Sequence, residues 1–176
     1  MGKFNQNGNG FENSKRSAKD ILREIVDYSY QKEAYLGHRI EGEYLIAYMV
    51  EKARILQYLK DGLEVMEKLQ NENAYIGIAV HSTSDLRFIQ NLIVMVTLID
   101  ESGHIVGQQQ HYYHPRPGLQ NYRKNWVLPG NGVYTLRAHV DFPDLKWGAD
   151  IKDNKTAESV EVDFPHVMIK TGQHVS

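Results

Sequence analysis

HYYHPRPGLQNYRKNWVLPGNGVYTLRAHV, residues 111–140, carries three of the chain's eight histidines, together with four tyrosines and a tryptophan. Its last ten residues decide the fold class. After the turn signal Pro129-Gly130-Asn131-Gly132 the chain alternates. Tyr134, Leu136, Ala138 and Val140 share one face, and Val133, Thr135, Arg137 and His139 share the other, as a half-buried strand requires. Working outward, AYIGIAVH (74–81) alternates in the same way, with Ile76, Ile78 and Val80 on one side and Tyr75, Gly77, Ala79 and His81 on the other. NLIVMVTLID (91–100) is apolar on both faces, and Glu101-Ser102-Gly103 turns it into HIVGQQQHYY. SVEVDFPHVMIK ends the series. Short strands separated by Gly-rich turns predict a mainly β chain, a β-sandwich, from residue 74 onward.

Residues 1–73 are more mixed. Residues 1–16 are rich in Gly and Asn with few apolar side chains, the composition of a flexible tail. From Ser17 as an N-cap, Ile21, Leu22, Ile25, Val26 and Tyr28 recur at helical spacing toward a stop at Gly37. An amphipathic N-terminal helix over 17–37 is expected, followed by the sandwich domain over 38–176. The segment 44–69 scores as helix on propensity. The Asp61-Gly62 pair between RILQYL and LEVMEKL signals a hairpin instead, and strands are the favoured assignment.

Composition excludes several chemistries. The chain has 176 residues, no cysteine, 20 basic and 22 acidic side chains, and a net charge of −2. Disulfides, thiolate metal sites and cysteine nucleophiles are ruled out, and no global field recruits nucleic acid or anionic membrane. No GxGxxG, P-loop or HExxH pattern is present. Ser82, His81 and Asp85 are neighbours in sequence without the elbow of a hydrolase. Imidazoles remain as the candidate chemistry: His81, His114 and His139 lie on or beside separate strands and suit a borderline cation. Arg116, Arg123, Lys124 and Arg137, interleaved with Tyr113, Tyr122 and Trp126, form a basic aromatic run that fits either an anion site or a packed turn.

The pieces AYIGIAVHSTSD, NLIVMVTLID and, above all, NYRKNWVLPGNGVYTLRAHV resemble the bacterial periplasmic iron-transport-associated proteins, copper-binding partners of iron permeases. The likeness covers about residues 74–170, with HRIEGEYLIAYMVEKA similar to the family's first strand. It implies an immunoglobulin-like β-sandwich, a homodimer, a copper or iron ion, and an iron permease as partner. It also implies where ligands would stand. The family's strand histidine and acidic residue correspond to Tyr75 and Gly77, its methionine to His114, and its pre-loop histidine to Asn121. Its later histidine is kept as His139, and His81 falls where some members carry another.

Two functions follow as expectations. One is a non-enzymatic protein holding copper or iron through His114 and His139, with ring nitrogens roughly 3 to 4 Å apart, His81 or His111 completing the set and Tyr122 nearby. The other is an interaction or dimerisation module of the same fold with a degenerate metal site, pairing through the two-sided strand 91–100. A periplasmic location is expected if a signal peptide has been removed, and a cytoplasmic one if the chain is complete.

Overall fold

The computed structural model describes residues 17, 35–115, 120–143 and 159–174. Ten strands account for its regular structure: β1 (Gly37–Glu41), β2 (Tyr44–Glu51), β3 (Leu56–Lys60), β4 (Leu63–Glu67), β5 (Ala74–Ser82), β6 (Ile93–Asp100), β7 (Ile105–Tyr113), β8 (Tyr122–Trp126), β9 (Gly132–Asp141) and β10 (Val160–Ile169). Eight form one antiparallel sheet in the order β1-β2-β5-β8-β7-β6-β9-β10. The halves β1-β2-β5-β8 and β7-β6-β9-β10 join where Tyr112 and Tyr113 pair with Arg123 and Tyr122. The outer strands β1 and β10 come close to one another, so the sheet nearly closes on itself.

The inward face follows the alternation of the strands. Ile76, Ile78 and Val80 meet Val94, Val96 and Leu98, Leu136, Ala138 and Val140, and Val162 and Phe164 in a single core. Residues 44–69 are strands, as the hairpin signal predicts. Asp61 and Gly62 have φ of 53° and 75°, the two positive values a type I′ turn needs, and they join β3 to β4. This hairpin stands apart from the main sheet and covers part of its outer face. Leu56 and Tyr58 pack there on Leu45, Ala47, Met49, Tyr75 and Ala79, making a second core.

Three expectations change. The helix over 17–37 falls mainly on residues outside those described, but its proposed stop, Gly37, is the first residue of β1 and pairs with Tyr48. NLIVMVTLID is not a two-sided buried strand: Val94, Val96 and Leu98 face the core while Ile93 is exposed. The strand buried on both faces is β5, because the hairpin covers its second side. The basic run also disperses. Arg123 is buried beside Asn121, Lys124 binds Glu67 beneath the hairpin, and Arg137 pairs with Asp163 on β10. No helix among the described residues is long and apolar enough to cross a membrane.

Candidate functional site

Strand order decides which histidines can meet. The Pro129–Gly132 turn leads directly from β8 to β9, but those strands are not paired: β7 and β6 lie between them. The turn carries the chain from one half of the sheet to the other, so adjacency in sequence does not become adjacency in space. His81 on β5 and His139 on β9 both leave the core face, yet four strand spacings, roughly 19 Å along the sheet, separate them.

Each histidine has its own surroundings. His139 lies partly exposed on the outer face, its Nδ1 3.0 Å from Glu161 Oε2 and its Nε2 3.4 Å from Asp141 Oδ1. His114, just after β7, has Nε2 3.8 Å from Glu64 Oε1 on the hairpin, while its Nδ1 is buried without a partner. The two expected principal ligands therefore face different carboxylates on different elements. His81 meets Phe88 edge-on at 5.6 Å between ring centroids, and burial lowers its pKa.

His111 belongs to the core. It is buried, and the indole N–H of Trp126 donates to its Nε2 at 3.1 Å. Its Nδ1–H is left facing the Tyr122 carbonyl at 3.4 Å. Burial pushes its pKa down to about 3, so the ring is neutral at physiological pH and has no lone pair to spare. Tyr122 turns away as well, donating to the Ile89 carbonyl at 2.8 Å. Among the described residues no three His, Asp or Glu side chains form a group able to hold a metal ion.

The positions that do converge are the ones the family resemblance marks as altered. Tyr75, Gly77 and Asn121 meet on the outer face of β5, under the hairpin. Asn121 Nδ2 donates to the Tyr75 hydroxyl at 3.1 Å and contacts Met49 Sδ at 3.3 Å. Arg123 Nε donates to Asn121 Oδ1 at 3.0 Å. The Arg54 guanidinium stacks 4.3 Å from the Tyr75 ring centroid and pairs with Glu51. A Cβ at residue 77 would stand 2.5 Å from Asn121 Nδ2 and 2.9 Å from Met49 Cγ, so the amide occupies the space a side chain there would need. Tyr75 and Asn121 are fully buried.

Chemically this is a closed neutral pair, Tyr and Asn, flanked by two guanidinium groups. Nearby, Lys124 Nζ donates to Glu67 Oε2 at 2.5 Å and to the Tyr58 hydroxyl at 3.1 Å, locking the hairpin over the cluster. Burial alone would lower the Lys124 pKa, but its bonds to Glu67 and Tyr58 outweigh this and raise it. A metal cation would meet positive charge and a thioether here, and among the described residues no group of imidazoles and carboxylates stands ready to bind it. Alternation could have placed Tyr75 and Gly77 on one face. Nothing in the sequence marked Met49, Arg54 or Arg123 as their neighbours: Met49 and Arg123 stand opposite Gly77 on the paired strands β2 and β8, and Arg54 lies in the link after β2, so all three contacts depend on long-range strand pairing.

No family model and no curated protein matches the chain. Solved structures do. A copper-bound variant of Campylobacter jejuni P19 superposes with a TM-score of 0.60 at 13% identity, covering 80% of this chain and 98% of that one. The copper-reconstituted P19 of the same organism gives 0.56 at 14%, covering 76% and 94%. FetP of a uropathogenic Escherichia coli strain gives 0.53 at 16%, covering 76% and 95%. The chain is thus structurally similar to the copper-binding P19 and FetP proteins over nearly their whole length, in the fold that the sequence resemblance indicated.

Proposed function

We propose that this protein is a non-catalytic, immunoglobulin-like β-sandwich that keeps the scaffold of the iron-transport-associated copper proteins without their metal centre, and works as an interaction module. The observation that carries this is the Tyr75–Asn121–Arg123 network. At the places where the resemblance implies ligands, a hydrogen-bonded set fills the space, and the missing side chain of Gly77 is replaced by the Asn121 amide. The surface supports the second half. Ile55, Leu63 and Met66 are exposed on and beside the hairpin, next to a groove of about 750 Å³ between it and the C-terminal segment.

His139 supports a weaker second role. A carboxylate on one imidazole nitrogen orients the other toward a metal. With Nδ1–H held by Glu161, Nε2 points at Asp141 and could bind copper or iron loosely at the surface. Calorimetric titration of untagged protein with Cu²⁺ tests both. The expected result is weak heat that His139→Ala removes. Tight one-to-one binding overturns the proposal.

A further inference from the structure

The groove of about 750 Å³ between the hairpin and the C-terminal segment has a mixed lining. Ile55, Met66 and Leu69 give it apolar surface, Arg54, Lys68 and His174 give it basic groups, and among the described residues no carboxylate lines it. Its far wall is fixed. The His174 N–H donates to the Ala53 carbonyl at 2.8 Å, and the Gln173 amide donates to the carbonyls of Gln70 and Glu72 at 3.0 and 2.9 Å. A site formed in advance needs little ordering when a ligand arrives. Arg54 is matched by Glu51, whereas Lys68 has no ion-pair partner among the described residues. Exposed Ile55 and Met66 stand beside that uncompensated cation.

The backbone along the same wall is open as well. Among the described residues β4 pairs with β3 alone. The two-residue Asp61-Gly62 turn makes Lys60 and Leu63 a hydrogen-bonded pair, and the ladder alternates from there. The N–H and C=O groups of Glu64, Met66 and Lys68 therefore point away from β3. We propose that the groove takes an extended segment of a different protein, added as a strand antiparallel to β4, with an acidic side chain opposite Lys68 and an apolar one opposite Met66. In the partner's chain order the acid comes first and the apolar residue two places later. Glu64 stands opposite the next alternate position and excludes a second acid there. Main-chain hydrogen bonds supply affinity in strand addition, and alternate side chains choose the sequence. Charge decides the class of partner. Opposite charges across a ladder stabilise it, and a basic residue against Lys68 would destabilise it. A small carboxylic acid would neutralise Lys68 but leave the edge of β4 unpaired.

This inference rests on the interaction half of the proposed function, and the two can fail separately. Tight one-to-one copper binding removes that function, whereas failure of the peptide below removes only this partner. The test is fluorescence anisotropy of the full chain with an end-blocked, labelled synthetic peptide, Thr-Glu-Thr-Ile-Thr-Thr. Its Glu falls opposite Lys68 and its Ile opposite Met66. The wild type should bind it, less well in high salt. Lys68→Glu should weaken binding about five-fold or more, with far-UV circular dichroism unchanged, and should prefer the peptide carrying Lys in place of Glu. Methylating the peptide's isoleucine nitrogen removes the N–H that meets the Met66 carbonyl and leaves the protein untouched. Affinity should fall with it, as a purely apolar contact would not require. Absence of binding to the wild type overturns the proposal. So does equal binding of the Glu and Lys peptides, or an N-methylated peptide that binds as well as its parent.

Discussion

The outer face of the sheet is covered at β5 and open at β9, and the polar residues on the two parts behave differently. Under the hairpin, Tyr75, Asn121 and Arg123 are out of water and bonded to one another. On β9 and β10, Arg137 forms ion pairs with Glu161 and Asp163, and His139 hydrogen-bonds to Glu161, all of them partly exposed. Arg137 holds the Asp163 carboxyl below its usual range through a two-point bond. Cover makes the difference. A buried polar group must be satisfied within the protein, because an orphaned one costs about 1–3 kcal/mol. Once satisfied it has nothing left to offer a ligand. An exposed group exchanges its partners with water at little cost and remains available.

The largest expected effect carries this contrast to its limit, the core histidine. His111 has a folded pKa of about 3 against an ordinary value of 6.5. The unfolded chain therefore takes up a proton that the folded chain refuses. Stability from this group is full above pH 6.5, declines as pH falls, and is lost by about pH 3. The total is on the order of 4–5 kcal/mol. Urea unfolding between pH 7 and pH 3 should show that decline. His111→Gln keeps an acceptor for the Trp126 indole and does not titrate, so its acid limb should be shallower. An equal slope in both proteins would mean that another group controls acid unfolding.

A middle-sized effect belongs to the covered cluster. Gly77→Ala places a methyl group 2.5 Å from Asn121 Nδ2, and the amide is backed by Tyr75 and Met49. Overpacking of this kind costs about 1–3 kcal/mol. Asn121→Ser shortens the obstructing side chain, so the double variant should be less destabilised than the sum of the singles. Additive losses, measured by thermal unfolding, would show that the two sites do not share one space.

These contrasts also explain what the sequence could and could not reveal. The β class, the Asp61-Gly62 hairpin and the inward rows of β5 and β9 follow from period-two alternation and turn chemistry, which are local. Which strand has both faces buried is not local. AYIGIAVH reads as one-sided and NLIVMVTLID as two-sided, yet the hairpin lies over β5 and leaves Ile93 of β6 exposed. The expectation that His114 and His139 meet rested on an equally local cue, and the two rings face different carboxylates, Glu64 and Glu161. The Pro129–Gly132 turn looks like a hairpin, but the strands it joins are separated by β7 and β6. The resemblance marked Tyr75, Gly77 and Asn121 as altered ligand positions, and these three do meet. The Met49, Arg54 and Arg123 contacts around them come from parts of the chain whose placement only the folded sheet fixes.

The smallest expected effect is at His139, and it sharpens the comparison from the open side. Glu161 Oε2 is 3.0 Å from its Nδ1, but Glu161 also lies 3.5 Å from Arg137 Nε, so the carboxylate keeps a cationic neighbour when the imidazole is removed. His139 is partly exposed and Glu161 exposed, and water replaces what is lost. His139→Ala should therefore change unfolding free energy by no more than about 0.5 kcal/mol. The same substitution should remove the weak Cu²⁺ binding at this position, because Asp141 and Glu161 alone offer no nitrogen ligand. A loss of stability as large as that of Gly77→Ala would place His139 among the structural groups. It would also end the distinction between a covered face that holds the fold together and an open face free to bind.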